Sequence, residues 1–316
     1  MERMIAVIGP TAVGKTKVSI DLAKMLNTEI ISGDSMLVYK EMNIGTAKPS
    51  MDERSNIHHH LIDILEPHED FSVVQFTERA SHHMTQINQQ GRIPVLAGGT
   101  GLYVKALLEG YQFNTSPSDE ELRVKLDGLA KEHGNQYLHD QLAQVVPEAA
   151  ARLHPNDLRR VIRALEVYYL TGDTISQTKL SDQQELLYDA LVIGLTMDRK
   201  LLYSRINQRV DLMMEQGLVH EVSELLAKGL PITCQAMQGI GYKEIVKYLH
   251  GEMDLLTATE NIKQATRNFA KRQLTWYRKM PYITWFDVND FGSHEEMMET
   301  FYKVIAGKFN HKVECK

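Results

Sequence analysis

One segment constrains this chain more than any other: Gly9, Pro10, Thr11, Ala12, Val13, Gly14, Lys15 and Thr16 in unbroken succession. It fits G-x-x-x-x-G-K-[ST] in full, between a short apolar run at residues 4–8 and an amphipathic stretch at residues 15–26. Strand, Gly-rich loop and helix form the context in which this spacing signifies a phosphate-binding loop. The glycines let backbone N–H groups turn inward, and the helix N-terminus adds partial positive charge. Lys15 adds a full charge, and the Thr16 hydroxyl is a candidate Mg²⁺ ligand. A diphosphate suits such a nest. The loop alone does not separate a kinase, a GTPase and a pyrophosphate-releasing transferase.

Around this loop, candidate strands at residues 29–32, 61–65 and 93–97 alternate with helical stretches at 15–26, 72–90 and from Gly101 onward. That alternation predicts an α/β fold, a P-loop NTPase-like parallel sheet with helices on both faces. The texture changes after Gly110. Residues 116–186 carry helix-period segments with few β-branched runs, entered through loop and N-cap composition at 114–119, and predict an inserted helical domain. Residues 190–196 resume the sheet, helices fill most of 199–280, residues 282–287 supply an edge strand, and 293–308 a closing helix. The expected division is a core of 1–115 with 187–316, and an insert of 116–186.

With 316 residues, 43% hydrophobic and 24% charged, the chain can bury a large core, which excludes disordered and fibrous classes. No apolar run reaches the roughly 18 residues of a membrane span, and the first ten residues carry no signal-peptide pattern. A cytoplasmic protein with no membrane partner is therefore expected, with a monomer as the working assumption. Cys234 and Cys315 stand in neither zinc nor redox spacing and read as incidental. The net charge of −6 argues against a histone-like polyanion binder but leaves room for local basic patches.

Asp34 follows the second candidate strand, at the carboxyl end of the sheet, where open α/β folds bind ligands. It is a general base, a ligand of Mg²⁺-bound water, or the N-cap of the next turn. Asp63, in an apolar Leu-Ile-Asp-Ile-Leu segment, is the rival as a metal ligand. Thr100 sits in a Gly-Gly-Thr-Gly turn on the same sheet edge and either touches a ligand or caps a helix. The runs at His58, His59 and His60 and at His82 and His83 lack a carboxylate spaced to join them, and read as solvated or packed histidines.

Two helical stretches are basic. Arg159 and Arg163 lie one turn apart, and Lys263, Arg267 and Lys271 keep the same stride, continuing through Arg272 to Trp276. Such surfaces meet phosphate backbones and unstacked bases, although a solvated helix face is the commoner meaning of a charge run. Arg205 and Arg209 form a further pair able to neutralise a leaving group.

Taken together, the loop at 9–16, Ser-Gly-Asp-Ser-Met-Leu-Val-Tyr at 32–39, Asn-Ile-Gly-Thr-Ala-Lys-Pro at 43–49, Gly-Gly-Thr-Gly-Leu-Tyr at 98–103, Arg-Ala-Leu-Glu at 163–166 and Ala-Lys-Arg-Gln-Leu-Thr-Trp at 270–276 resemble the bacterial tRNA dimethylallyltransferase family in order and spacing. The resemblance covers nearly the whole chain. It implies transfer of the isoprenoid group of dimethylallyl diphosphate to N6 of adenosine 37, beside the anticodon, with release of diphosphate. The implied partner is tRNA with adenosines at positions 36, 37 and 38, and the implied cofactor is Mg²⁺, held by Thr16.

By resemblance, Asp34 orients N6 and takes its proton, Thr100 helps fix the reacting centre, and Lys15, Thr16, the loop amides and Arg209 stabilise the departing diphosphate. The implied tRNA contacts are Asp34, Ser35, Met36 and Leu37, with Arg123, then Arg159, Arg160, Val161, Ile162 and Arg163. Thr233, Gln238, Lys271 and Arg272 complete the set, and the helical insert would clamp the anticodon stem. The target base is stacked in its loop and has to be flipped out, at a cost of a few kcal/mol that backbone contacts offset. The sequence ends without the zinc-finger extension of eukaryotic relatives, which implies a bacterial-type protein.

Three rivals stand beside this reading. A P-loop small-molecule kinase would use Asp34 as base and Asp63 as metal ligand. An isopentenyltransferase acting on free adenine nucleotide would not need the insert. A non-catalytic nucleotide-binding module would not need Asp34 and Thr100 on the edge that carries the loop.

Overall fold

The computed structural model describes residues 1–113, 119–172, 177–179 and 186–309 of the chain. Contacts divide it into two compact units, Met1–Gly110 with Gln184–Lys316, and Tyr111–Gln183. Cys315 and most of the loop leading into the insert lie outside the described residues.

The larger unit is built on six parallel strands: β1 (Arg3–Ile8), β2 (Ile30–Gly33), β3 (His59–His60), β4 (Val95–Gly98), β7 (Asp189–Thr196) and β8 (Ile283–Asp287). Their order across the sheet is β3-β2-β4-β1-β7-β8. The short pair β5 (Tyr111–Phe113) and β6 (Gln177–Lys179) is antiparallel and belongs to the smaller unit. The pleat of β1 explains why its sequence is a continuous apolar run. Met4, Ala6 and Ile8 join one core, with Ile31, Leu96 and Val192, while Ile5 and Val7 join the other, with Ile30, Val95 and Ile193.

Helices cover both faces. α1 (Lys15–Met25), α2 (Met51–Arg54), α3 (Val73–Gln89) and α4 (Gly101–Glu109) precede the insert. Ser72 caps α3 in a reciprocal capping box with Gln75, which satisfies two otherwise orphaned donors. The smaller unit contains α5 (Glu120–His133), α6 (Asn135–Val145), α7 (Pro147–Arg152) and α8 (Leu158–Thr171), packed around Leu126, Leu138, Leu142, Val161 and Leu165. α9 (Arg199–Glu215), α10 (Leu218–Ala227), α11 (Tyr242–Leu249), α12 (Leu255–Tyr277) and α13 (His294–Phe309) then return to the larger unit.

One expected strand is corrected. Residues 61–65 are not extended; Leu61 and Asp63 have φ of 63° and 56°, in the left-handed region. The backbone there is tied to its neighbours instead, with Asp63 N–H donating to Leu37 O at 3.1 Å and Ile64 N–H to Val38 O at 2.8 Å. The strand is displaced to His59–His60, which pairs with Ile30 and Ile31 of β2.

Candidate active site

The 9–16 loop leaves the carboxyl end of β1, between β4 and β7, and runs into α1. Gly9 has φ 149°, and a Cβ there would lie 2.6 Å from Leu195 O, so the tight exit from the strand requires glycine. Lys15 folds back onto the loop, its Nζ donating to Pro10 O at 2.7 Å and Gly9 O at 3.0 Å. Burial pulls the Lys15 ammonium down to about 7; Asp34 nearby raises it and Arg209 lowers it further. The amine is therefore poised near neutrality and gains charge when a phosphate arrives.

Two cavities meet at this loop. The outer, of about 860 Å³, is lined by Gly14, Lys15, Thr16, Lys48, Arg205 and Arg209 among others. The inner, of about 100 Å³, is lined by Thr11, Lys15, Thr16, Asp34, Gly99 and Arg209 among others. Arg209 borders both, whereas Arg205 borders only the outer one and is exposed. Burial lowers the pKa of the Arg209 guanidinium, opposed by Asp34 and Glu53. Thr16 faces both cavities, and among the described residues its hydroxyl has no hydrogen-bond partner, which fits a Mg²⁺ ligand.

Asp34 follows β2 and makes the contact expected of a turn cap. Its Oδ1 accepts from Met36 N–H at 2.8 Å, turning the chain, while Oδ2 lies against Gly99, 3.1 Å from where a Cβ would sit. Oδ1 is thus anchored in the turn, and the residue lines the inner cavity. Thr100 stands at the N-cap of α4 but makes no side-chain cap bond. Its Oγ1 instead accepts from Ser35 N–H at 3.1 Å and approaches Ser35 Oγ at 3.3 Å, so it braces the turn that carries Asp34.

Asp63 is not part of this site. Its carboxylate is paired with Lys48 and, at 3.3 Å, with Arg54, which removes it as a metal ligand beside the loop. Three residues that do shape the site escaped the sequence reading of their roles. Gln273, buried on α12, accepts from Thr11 N–H at 2.8 Å and donates to Gly99 O at 2.6 Å, clipping the phosphate loop to the turn after β4. Glu221 accepts from the N–H groups of Asn43, Ile44 and Gly45 and from the Tyr242 hydroxyl, fixing the segment that walls the outer cavity. His59 lines the inner cavity, its Nδ1 2.8 Å from Ile57 O. Gln273 lay within a quoted motif, yet its two partners are 262 and 174 residues away, beyond any local pattern.

Gln273→Ala leaves one buried donor and one buried acceptor unpaired, at about 1–3 kcal/mol each. The expected result is a fall in urea-unfolding free energy of that order together with a raised donor KM. Gln273→Glu keeps an acceptor for Thr11 but turns a second acceptor oxygen on Gly99 O and buries a negative charge beside the phosphate loop, so a larger KM effect than that of Gln273→Ala is expected from it.

The basic residues divide into two kinds. On α8, Arg163 pairs with Glu166 at 2.6 Å, and Arg123 of α5 meets the same buried carboxylate at 2.9 Å. Arg163 and Arg123 are thus committed to the insert's framework. Glu166 is also held by Asp119 N–H at 2.8 Å, and these contacts outweigh burial and lower its pKa. Val161 and Ile162 are buried in the insert core, the side to which the helical period turns them, so the direct tRNA contact that the resemblance implied for them is corrected. Arg160 is exposed and pairs with Asp157, while Arg159 is exposed with no ion-pair partner among the described residues.

On α12, Lys263 is held by Asp211 and Glu260, and Arg267 by Asn207 and Gln264, so the front of that stride packs helices together. Lys271 and Arg272 are exposed, as are Thr233 and Gln238; the Gln238 amide donates to Ile232 O. Ser35, Met36 and Leu37 are half-buried beside Asp34, with Leu37 on the inner cavity.

A Gly-rich strand-to-helix loop at the end of the central strand, a neighbouring guanidinium, and a carboxylate across a small cavity are the parts of an α/β enzyme of P-loop type. The model of the family described as IPP transferase matches residues 37–280. A tRNA dimethylallyltransferase of Geobacillus thermodenitrificans is 50% identical over 307 residues, covering 97% of each chain. The full-length tRNA isopentenylpyrophosphate transferase of Bacillus halodurans aligns with a TM-score of 0.74 at 46% identity, over 98% of this chain and 97% of that one. A eukaryotic dimethylallyltransferase acting on tRNA aligns with a TM-score of 0.78 at 28% identity, over 100% of this chain and 82% of that one. The chain belongs to the IPP transferase family.

Proposed function

We propose that this protein is a tRNA dimethylallyltransferase, moving the dimethylallyl group from dimethylallyl diphosphate to N6 of adenosine 37 and releasing diphosphate. The observation that carries the reading is the shared inner cavity, where Lys15 and Arg209 face Asp34. Adenine N6 is a poor nucleophile because its lone pair is conjugated with the ring, so the site has to supply both a base and a well-held leaving group. Asp34 Oδ2 accepts the N6 proton while Oδ1 stays anchored on Met36 N–H. The new N6–C bond forms as the C–O bond to diphosphate breaks, and the electron pair leaves with the diphosphate. Lys15, the loop amides and Arg209 neutralise that charge. Thr16 would hold Mg²⁺, which supplies further neutralisation of the diphosphate oxygens.

The acceptor is tRNA with adenosines at 36, 37 and 38. Arg159 and Arg160 on the insert and Lys271 and Arg272 on α12 are the exposed cations available for its backbone. Action as a cytoplasmic monomer completes the reading; no described helix is long and apolar enough to cross a membrane. The test is incubation of the full chain with labelled dimethylallyl diphosphate, Mg²⁺ and unmodified tRNA of that anticodon-loop sequence, followed by nucleoside analysis. Label recovered as N6-dimethylallyladenosine is the expected outcome. No transfer to tRNA, with ATP consumed in a metabolite screen instead, would replace this reading with a kinase.

A further inference from the structure

On the outer edge of the sheet, away from the cavities at the phosphate loop, lies a second cluster that the transfer reaction does not use. His58 and His60 are two residues apart along an extended edge segment, so both point to the side opposite His59. Glu29, immediately before β2, is their neighbour across the sheet, because Ile30 N–H donates to His58 O at 3.0 Å. The carboxylate partner that local spacing did not supply is therefore delivered by strand pairing. One ligand atom each from Glu29, His58 and His60 fall within 4.8 Å of one another.

We propose that Glu29, His58 and His60 form a binding site for a borderline divalent transition ion, with Zn²⁺ as the type case. Two imidazoles and a carboxylate are the N₂O donor set that such ions take, with solvent in the fourth position. Hard Mg²⁺ prefers oxygen ligands and does not compete for it.

The cluster is part-built for this role. Glu29 Oε2 already lies 2.6 Å from His60 Nε2, while Oε1 is engaged by Arg92, which orients the carboxylate from behind. The His60 ring stacks on His83 with centroids 4.1 Å apart and meets His58 edge-on at 4.3 Å. His58 is exposed, with a ring nitrogen already within 4.8 Å of the ligand atoms of Glu29 and His60. An ion bridging Nε2 of His60 and Oε2 of Glu29 has to replace the hydrogen bond between them, which calls for a modest separation of the two atoms.

Such an ion would join β3, a two-residue edge strand, to the residue that precedes β2, and β2 ends at the turn bearing Asp34. Because it would bind the folded chain and not the unfolded one, it raises the thermal midpoint by mass action.

The test is titration of the purified full chain with ZnCl₂ in excess Mg²⁺, read by calorimetry and by thermal midpoint. Co²⁺ is used as a second probe, its visible absorption reporting coordination by nitrogen and oxygen. One ion per chain is expected, with a raised midpoint and a Co²⁺ spectrum of low-symmetry N/O coordination. His60→Ala and Glu29→Gln are each expected to weaken binding about tenfold or more. His58→Ala is the variant least able to disturb folding, being at an exposed position, and should do the same, whereas His82→Ala leaves binding unchanged. No stoichiometric binding by the wild-type chain, or binding that survives His58→Ala and His60→Ala in variants with native circular dichroism, overturns the proposal. Neither outcome depends on prenyl transfer, so failure here is distinguishable from failure of the proposed function.

Discussion

Asp34→Ala is expected to lower the single-turnover rate of prenyl transfer by about 10²–10⁴-fold, the range for loss of a positioned general base. Dimethylallyl diphosphate affinity, measured by equilibrium binding, should change little, because the donor's charge is met by Lys15, Arg209 and the loop. Asp34→Asn separates the two jobs of this side chain. Its carbonyl oxygen can still accept from Met36 N–H, as Oδ1 does at 2.8 Å, so the turn is kept while the basic oxygen is lost. A rate for Asp34→Asn near that of Asp34→Ala assigns the effect to proton transfer. Recovery toward wild type would show that the turn geometry, and not basicity, is what Asp34 contributes.

The second large effect concerns Lys15. Its ammonium, held down to about 7 chiefly by burial, must be charged to grip the diphosphate. The donor's terminal phosphate, with a pKa near about 6, is already fully ionised above neutrality. Donor affinity in the wild-type enzyme is therefore expected to weaken by up to about tenfold per pH unit above about 7, as binding becomes coupled to uptake of one proton. Lys15→Arg carries a charge that does not titrate in this range, and should flatten that slope even where its overall affinity is lower. Lys15→Met should reduce kcat/KM by about 10²–10³-fold, comparable to removing one electrostatic donor from a developing anion.

The same depressed pKa has a stability consequence of definite sign. Between about 7 and the ordinary lysine value of 10.5 the unfolded chain binds more protons at this position, so the ligand-free fold gains stability as pH rises through that window. Chemical denaturation at several pH values, comparing wild type with Lys15→Met, isolates the contribution. A pH slope equal in the two proteins would place the lysine outside the buried environment described above.

Where the chain's chemistry follows local pattern, the sequence was sufficient. The apolar run of β1 and the helix period of α1 frame the loop; the insert, expected over 116–186 from the loss of β-branched texture, stands beside a compact unit of Tyr111–Gln183. Where the chemistry is made by distant partners, local pattern misled. Residues 61–65 are apolar around a single Asp, which reads as a strand, yet Leu61 and Asp63 lie in the left-handed region and the Asp63 carboxylate pairs with Lys48 and Arg54. Glu29, Glu221 and Gln273 acquire their roles from partners 21 to 262 residues away.

Arg163 is a different case. Its partner Glu166 lies three residues on, within helical reach, so the pairing that commits this guanidinium to the framework was legible from spacing alone. A Val or Ile within a basic helix likewise signals the side facing the core, and burial of Val161 and Ile162 follows from the same periodicity that placed Arg159 outside.

The clip made by Gln273 bears on how the molecule comes into being. The phosphate loop emerges first from the ribosome, but the strand on one flank of β1 lies beyond the insert, and the side chain that ties Thr11 to Gly99 is 262 residues behind the loop. A nascent chain can form the loop's own helix early, whereas the β7 flank of β1 and the Gln273 clip come only from segments made after the insert. Until Gln273 has been made, the loop lacks the contact that ties Thr11 to Gly99.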